Sequence, residues 1–339
     1  MNSSRDSQTL YQEEILGDEL EKIDNFFHQL QEPKNLAEIR RFTEEFCRKN
    51  SNRKIVLITS GGTTVPMEQN TVRYIDNFSA GTRGSASTEY FFDSGEYAII
   101  FFYRHKSLEP FVRHFDNLLY QLRYDEKSDN FDVPSNIKPK LKKMLEKISD
   151  SSESLLKITF TTLSEYLYIL RELTAILKQF GSKAMLYLAA AVSDFYIPPQ
   201  NLAVHKIQSD SPLRLHFEMV PKILRPLVKF WVPDAFVISF KLETDANILM
   251  AKAKKALSRY GHRLVIANEL NTRKWKVILV GENDSEVIEI NSNITNTGTS
   301  ASNQSSIEIE KLIVSNVIRR HDDFIRQSAS KCSRPTSQS

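Results

Sequence analysis

Short, almost unbroken apolar runs recur along this chain: "KIVLIT" (54–59), "YAIIFFY" (97–103), "LLKITF" (155–160), "AMLYLAAA" (184–191), "AFVISF" (235–240) and "RLVIAN" (263–268). Strands of this kind lack the alternation of a half-solvated sheet, so both of their faces must be covered. The segments between them supply the cover. In "TTLSEYLYILRELTAILKQF", Leu163, Leu167, Leu170, Leu173 and Leu177 fall on one helical face. Strands alternating with amphipathic helices predict an α/β fold, a Rossmann-like, doubly wound and mostly parallel sheet with helices on both sides.

Around this core the pattern predicts further parts. Residues 1–53 form an N-terminal helical region, with Leu16, Leu20, Ile23, Phe27 and Leu30 on one face. A second helix is capped by Asn35 and presents Leu36, Ile39, Phe42 and Phe46. A single domain follows over 54–328. It holds a charged, less regular insertion at about 104–153, with an exposed helix in "NIKPKLKKMLEKIS". "KWKVILVG" and "SEVIEI" predict an antiparallel hairpin, either at the edge of the main sheet or in a small dimerisation extension. The low-complexity stretch 291–306 is expected to be a mobile loop and 329–339 a disordered tail.

Bulk properties exclude several classes. A net charge of +3 gives no nucleic-acid signal, and two cysteines near opposite ends match no disulfide framework or metal spacing. The start of the chain is polar and acidic, unlike a signal peptide, and no apolar run reaches the roughly 18 residues of a membrane span. The expectation is a cytoplasmic protein, or one shared with the nucleus.

The chemistry concentrates at strand ends. The chain has only 10 glycines, yet Gly61, Gly62, Gly81 and Gly84 all lie in "SGGTTVPMEQNTVRYIDNFSAGTRG" (60–84). Glycine lets backbone N–H groups approach a phosphate, and a helix N-terminus adds a favourable dipole. The stretch is neither a Walker A loop nor a G-x-G-x-x-G fingerprint, and a pair of tight turns would use glycines equally well. "LAAAVSDFYIP" ends a strand in small residues, which leaves room for a ligand beside Asp194, although a lone Asp there serves also as a helix cap. Lys206 in "HKIQS" is either a solvated loop lysine or a charge that closes over phosphates. His205 has no evident partner and reads as a structural or surface group. Phe240 and Asn268 end two more strands, where a ring can stack on a base and an amide can meet a base or ribose. Lys252, Lys254 and Lys255 form either a solvated helix face or a source of positive charge.

"TSGGT", "VRYIDNFSAGTRG", "FTTLSEYL", "YLAAAVSDFY", "HKIQS", "MVPKIL", "FVISFKLETD" and "VIAN" occur in an order that resembles the phosphopantothenoylcysteine synthetases, in their stand-alone eukaryotic form, over about residues 54–290. The resemblance implies a ligase that joins 4′-phosphopantothenate to L-cysteine through an acyl-nucleotidylate, with ATP as co-substrate, Mg2+ on the phosphates and a homodimeric assembly. It implies roles residue by residue. Gly61, Ser79, Gly81 and Gly84 match the nucleotide-phosphate loops, Phe240 and Asn268 the base and ribose contacts, and Lys254 loosely a further nucleotide contact. Asn77, Ala190, Ala191 and Asp194 match the phosphopantothenate site, and Arg73 a contact to its phosphate across a dimer interface. Asn77 and Lys206 match the catalytic residues. No metal ligands and no cysteine-binding residues are identified. Two other readings share the architecture: a nicotinamide-dependent oxidoreductase, and a non-catalytic nucleotide-binding regulatory subunit. Against the first, the first turn lacks the dinucleotide fingerprint and "YAIIFFYR" ends without an acidic residue. Against the second, both Asn77 and Lys206 are present.

Overall fold

The computed structural model describes residues 17–18, 20–115, 117–210, 212–290 and 307–332. The predicted loop 291–306, Leu16 and most of the predicted tail lie outside the described residues.

An eight-stranded sheet forms the centre. Its strands are β1 (Lys54–Ser60), β2 (Tyr97–Arg104), β3 (Leu155–Phe160), β4 (Ala184–Leu188), β5 (Phe236–Glu243), β6 (Leu264–Glu269), β7 (Lys276–Val280) and β8 (Ser285–Glu289). Strands β1 to β6 are parallel and stand in the order 3-2-1-4-5-6, the Rossmann order. The hairpin β7–β8 continues the sheet antiparallel beyond β6, so the predicted hairpin after Asn268 is the main sheet's edge. Three small antiparallel pairs stand apart from it: Thr64–Pro66 with Tyr74–Asp76, Phe195–Tyr196 with Glu218–Met219, and, in the insertion, Arg123–Asp125 with Asn130–Asp132.

The helices are α1 (20–29), α2 (Leu36–Lys49), α3 (Thr82–Asp93), α4 (Lys138–Asp150), α5 (Leu163–Leu177), α6 (Ala246–Tyr260) and α7 (Ile309–Cys332). They cover both faces, as the unbroken apolar strands require. Along β1, Ile55 and Leu57 join one core with α1, α2 and α5, while Val56 and Ile58 join another with α3 and α7. All five predicted leucines of α5 are buried. Its start is secured by Thr162, whose hydroxyl accepts from the Glu165 N–H at 3.2 Å while the Glu165 carboxylate accepts from the Thr162 N–H at 3.0 Å.

Two local expectations are corrected in α2. Asn35 occupies the cap position but makes no side-chain cap. Phe42 is exposed, and Thr43 takes the inward position; its hydroxyl donates to the Ile39 carbonyl at 2.7 Å and so remains satisfied when buried.

Candidate active site

In a doubly wound sheet the crevice opens where the strand order reverses, here between β1 and β4. The turns that leave these strands are stitched together. Ala191 N–H donates to Gly61 O at 2.8 Å, Thr63 N–H to Ala191 O at 3.0 Å, and Ala190 N–H to Thr59 Oγ1 at 3.1 Å. Ser193 N–H donates to Thr63 Oγ1 at 3.0 Å, and Asn77 N–H to Thr63 O at 3.1 Å. Gly61, Asn77, Ala190 and Ala191, read from separate motifs, therefore meet at one crossing.

The glycines are demanded first by packing. A methyl group on Gly62 would sit 1.6 Å from the Asn77 carbonyl oxygen, and one on Gly84 would sit 2.5 Å from the Ser60 side chain. Gly81 has φ +82°, in the left-handed region, and its carbonyl accepts from Ser60 Oγ at 3.1 Å. It starts α3, so the helix N-terminus abuts the end of β1. Ser79 is half-buried, and its Oγ accepts from Gly81 N–H at 3.4 Å. The Asn77 side-chain amide is half-buried and has no hydrogen-bond partner among the described residues.

A cavity of about 240 Å³ opens beside this crossing, lined among others by Tyr166, Ala190, Asp194, Lys222, Ser239 and Phe240. Asp194 pairs with Lys222 at 2.7 Å, and both side chains remain solvent-accessible. Phe240 packs edge-on against Tyr187 with ring centroids 5.0 Å apart. Burial pushes the Tyr166 phenol up to about 12, so it stays neutral. Ser239 Oγ lies 2.7 Å from His262 Nε2, and burial pushes that imidazole down to about 4.

Other expected residues stand apart. Lys206 is exposed on its loop, its carbonyl accepts from Gln208 Nε2 at 3.2 Å, and its ammonium has no partner among the described residues. Arg73 is engaged with Glu68 at 3.0 Å and donates to the Ile207 carbonyl at 2.6 Å. Asn268 is buried; its Nδ2 donates to Ile266 O at 3.0 Å and its Oδ1 accepts from Arg83 at 3.3 Å. Lys254 is exposed on α6 and does not line the cavity. Lys252 pairs with Glu243 at 2.9 Å.

Sequence reasoning missed Glu68, Arg83 and Lys222. Arg83 sits inside "GTRG" and Lys222 inside "MVPKIL", so both motifs were in view but were not read for these side chains. Arg83 bridges Asn268, Arg273 O at 2.6 Å and Glu310 at 2.8 Å, which ties α3 to β6 and α7. Burial keeps the Glu310 carboxyl above its usual range despite that guanidinium. Nothing in periodicity marks Glu68, whose importance lies in its burial.

Residues 171–318 match the DNA/pantothenate metabolism flavoprotein C-terminal domain family. The chain is 40% identical over 305 residues to phosphopantothenate–cysteine ligase CAB2 of Saccharomyces cerevisiae, covering 82% of this chain and 79% of that protein. It is 40% identical over 282 residues to phosphopantothenate–cysteine ligase of Homo sapiens, covering 80% and 88%. A solved structure of a Cab2 mutant in complex with phosphopantothenate-cysteine superposes with a TM-score of 0.80 at 37% identity, covering 90% of this chain and 99% of that one. These relatives are ligases, and the oxidoreductase and regulatory-subunit readings find no support among them. At this identity and coverage the relatives show the family: this chain belongs to the phosphopantothenate–cysteine ligase family.

Proposed function

We propose that this chain joins 4′-phosphopantothenate to L-cysteine by way of an acyl-adenylate, in coenzyme A biosynthesis. The observation that carries the reading is the meeting of Gly61, Asn77, Ala190 and Ala191 at the strand-order reversal, beside a cavity that Asp194 and Phe240 line. A carboxylate oxygen is a poor leaving group. Its attack on the α-phosphorus of ATP forms an O–P bond, breaks the α–β phosphoanhydride and releases pyrophosphate. The cysteine amine then attacks the acyl carbon; a C–N bond forms, AMP leaves and the amine proton is lost. Lys206 stabilises the triphosphate charge in the first step, and the Asn77 amide donates to the acyl oxygen in the second. Gly61, Ser79, Gly81 and Gly84 cradle the phosphates, with Phe240, Asn268 and Lys254 toward the nucleoside. Ala190, Ala191 and Asp194 hold the pantothenate part, and Arg73 the terminal phosphate.

ATP is taken as the nucleotide because the resemblance is to the stand-alone eukaryotic form. No group of three or more His, Cys, Asp or Glu among the described residues could hold a metal ion. Mg2+ is therefore proposed as an ion carried by the nucleotide phosphates, in keeping with its preference for phosphate oxygens and water. A homodimer is proposed too, through the small antiparallel pairs, which expose Tyr74, Phe195 and Met219. Sedimentation should find a dimer that Met219→Asp weakens; a fully active monomer would remove it. No helix among the described residues is long and apolar enough to cross a membrane; a cytoplasmic site of action is part of the proposal.

The deciding assay supplies 4′-phosphopantothenate, cysteine, Mg2+ and either ATP or CTP, and identifies the nucleotide released. AMP with pyrophosphate, dependent on the acid, is expected. ADP with phosphate would overturn the adenylate and the role of Lys206. CMP formed in preference to AMP would overturn the choice of ATP.

A further inference from the structure

The turn between the paired segments Thr64–Pro66 and Tyr74–Asp76 carries a carboxylate with no solvent exposure, that of Glu68. It accepts from the N–H groups of Val72 at 3.4 Å and Arg73 at 3.0 Å, and from Arg73 Nε at 3.0 Å. Burial pushes this carboxyl up, but the backbone donors of Arg73 and Val72 and the guanidinium prevail, so it is held below the usual range. Arg73 in turn donates to the Ile207 carbonyl at 2.6 Å. The ion pair thus holds the backbone carbonyl of the residue that follows Lys206.

The rest of the turn binds the same loop. Gln69 N–H donates to Ala203 O at 2.9 Å and Asn70 N–H to Val204 O at 3.1 Å. The Gln69 side chain reaches Pro199 O at 3.4 Å and Leu202 O at 3.5 Å. A buried carboxylate is costly to desolvate, and closing a short turn does not require one. What this one adds is a fixed connection between the segment leading to Asn77 and the loop bearing Lys206.

We propose that Glu68 is a positioning residue of the ligase: through Arg73 and Ile207 it sets where Lys206 stands relative to the β1 and β4 strand ends. This deepens the role of Lys206 given above and rests on it.

The test compares the full chain with Glu68→Gln, Glu68→Asp, Lys206→Ala and the Glu68→Gln/Lys206→Ala pair. Two quantities are read: acid-dependent exchange of labelled pyrophosphate into ATP, and hydrogen exchange of the Gln69 and Asn70 amides that bind the 203–204 carbonyls. Glu68→Gln is expected to slow pyrophosphate exchange about 10- to 100-fold, the scale of a misplaced catalytic group. Its Gln69 and Asn70 amides, which donate to Ala203 O and Val204 O, are expected to exchange at least about 10-fold faster as the loop opens. Glu68→Asp keeps the charge with a shorter reach and should fall between the two. The paired variant should be no slower than Lys206→Ala alone, because both changes act through one group. A folded Glu68→Gln with a pyrophosphate exchange rate within about twofold of the parent overturns the proposal, and so does an additive pair. If Glu68→Gln does not fold, Glu68→Asp decides: unchanged rate and unchanged protection of these amides overturn it. Normal pyrophosphate exchange in Lys206→Ala overturns the reading of Lys206, and this inference with it, an outcome distinct from failure at Glu68 alone.

Discussion

At Gly62 the missing side chain is itself the requirement. The Asn77 carbonyl that a methyl group would strike belongs to backbone, which cannot swing aside as a side chain would. Gly62→Ala should cost about 1–3 kcal/mol in urea unfolding, the range of overpacking. Because the strain falls on Asn77, ligase turnover should drop as well. Asn77 itself invites a subtler change. Asn77→Asp replaces a side chain that donates and accepts with one that, when ionised, only accepts. Rapid-quench analysis should find that the acyl-adenylate still forms and then accumulates, its conversion by cysteine slowed by about 10²-fold or more. Full turnover would take Asn77 out of the mechanism. At this scale a residue's place at the crevice was legible where it sits in an ordered motif, as Asn77 and Asp194 do. It was not legible at Glu68, because burial is a property of neighbours brought in from the 203–207 loop.

Among the elements, one buried ion network does what no single contact does. Arg113, from the insertion, pairs with Glu89 of α3 and with Glu308 just before α7, both at 2.7 Å. His114 reaches the same Glu89 at 2.7 Å, and the Phe111 N–H donates to it at 2.8 Å. Burial pushes the Glu89 carboxyl up, but His114 and Arg113 outweigh it and hold it below the usual range. Arg113→Ala would leave Glu89 in the interior with only His114 and the Phe111 N–H, and should destabilise the protein by up to about 3 kcal/mol, measured by chemical denaturation. Had the insertion been a detached appendage, the loss would be near zero. Helix periodicity predicted α5 well because Leu163 to Leu177 leave no choice of inward face. In α2 the steps of three and four from Ile39 reach Phe42 and Thr43 respectively, and Thr43 went inward because a carbonyl one turn away satisfies its hydroxyl.

For the whole molecule, two buried histidines set the response to acid. His321 is fully buried; its Nε2–H donates to Ser182 O at 2.9 Å and its Nδ1 lies 2.8 Å from the Tyr97 hydroxyl. Burial pushes it down to about 4, as it does His262. The unfolded chain takes up these protons near the ordinary value of 6.5, and the folded chain only near 4. Stability is therefore complete above pH 6.5 and falls as pH drops toward 4, by on the order of 3 kcal/mol for each histidine at the limit. Urea midpoints at pH 7 and pH 5 should differ in that direction, and His321→Gln should flatten the slope. The sequence by itself determined the parallel sheet, because apolar strands without alternation need cover on both faces, and it determined the family, because the ordered motifs are a linear property. The tertiary structure alone decided which strand ends meet, since strand order places β4 beside β1 across more than a hundred intervening residues. It also decided which charges are buried or paired, since the partners of Glu89 and Arg83 come from other parts of the chain.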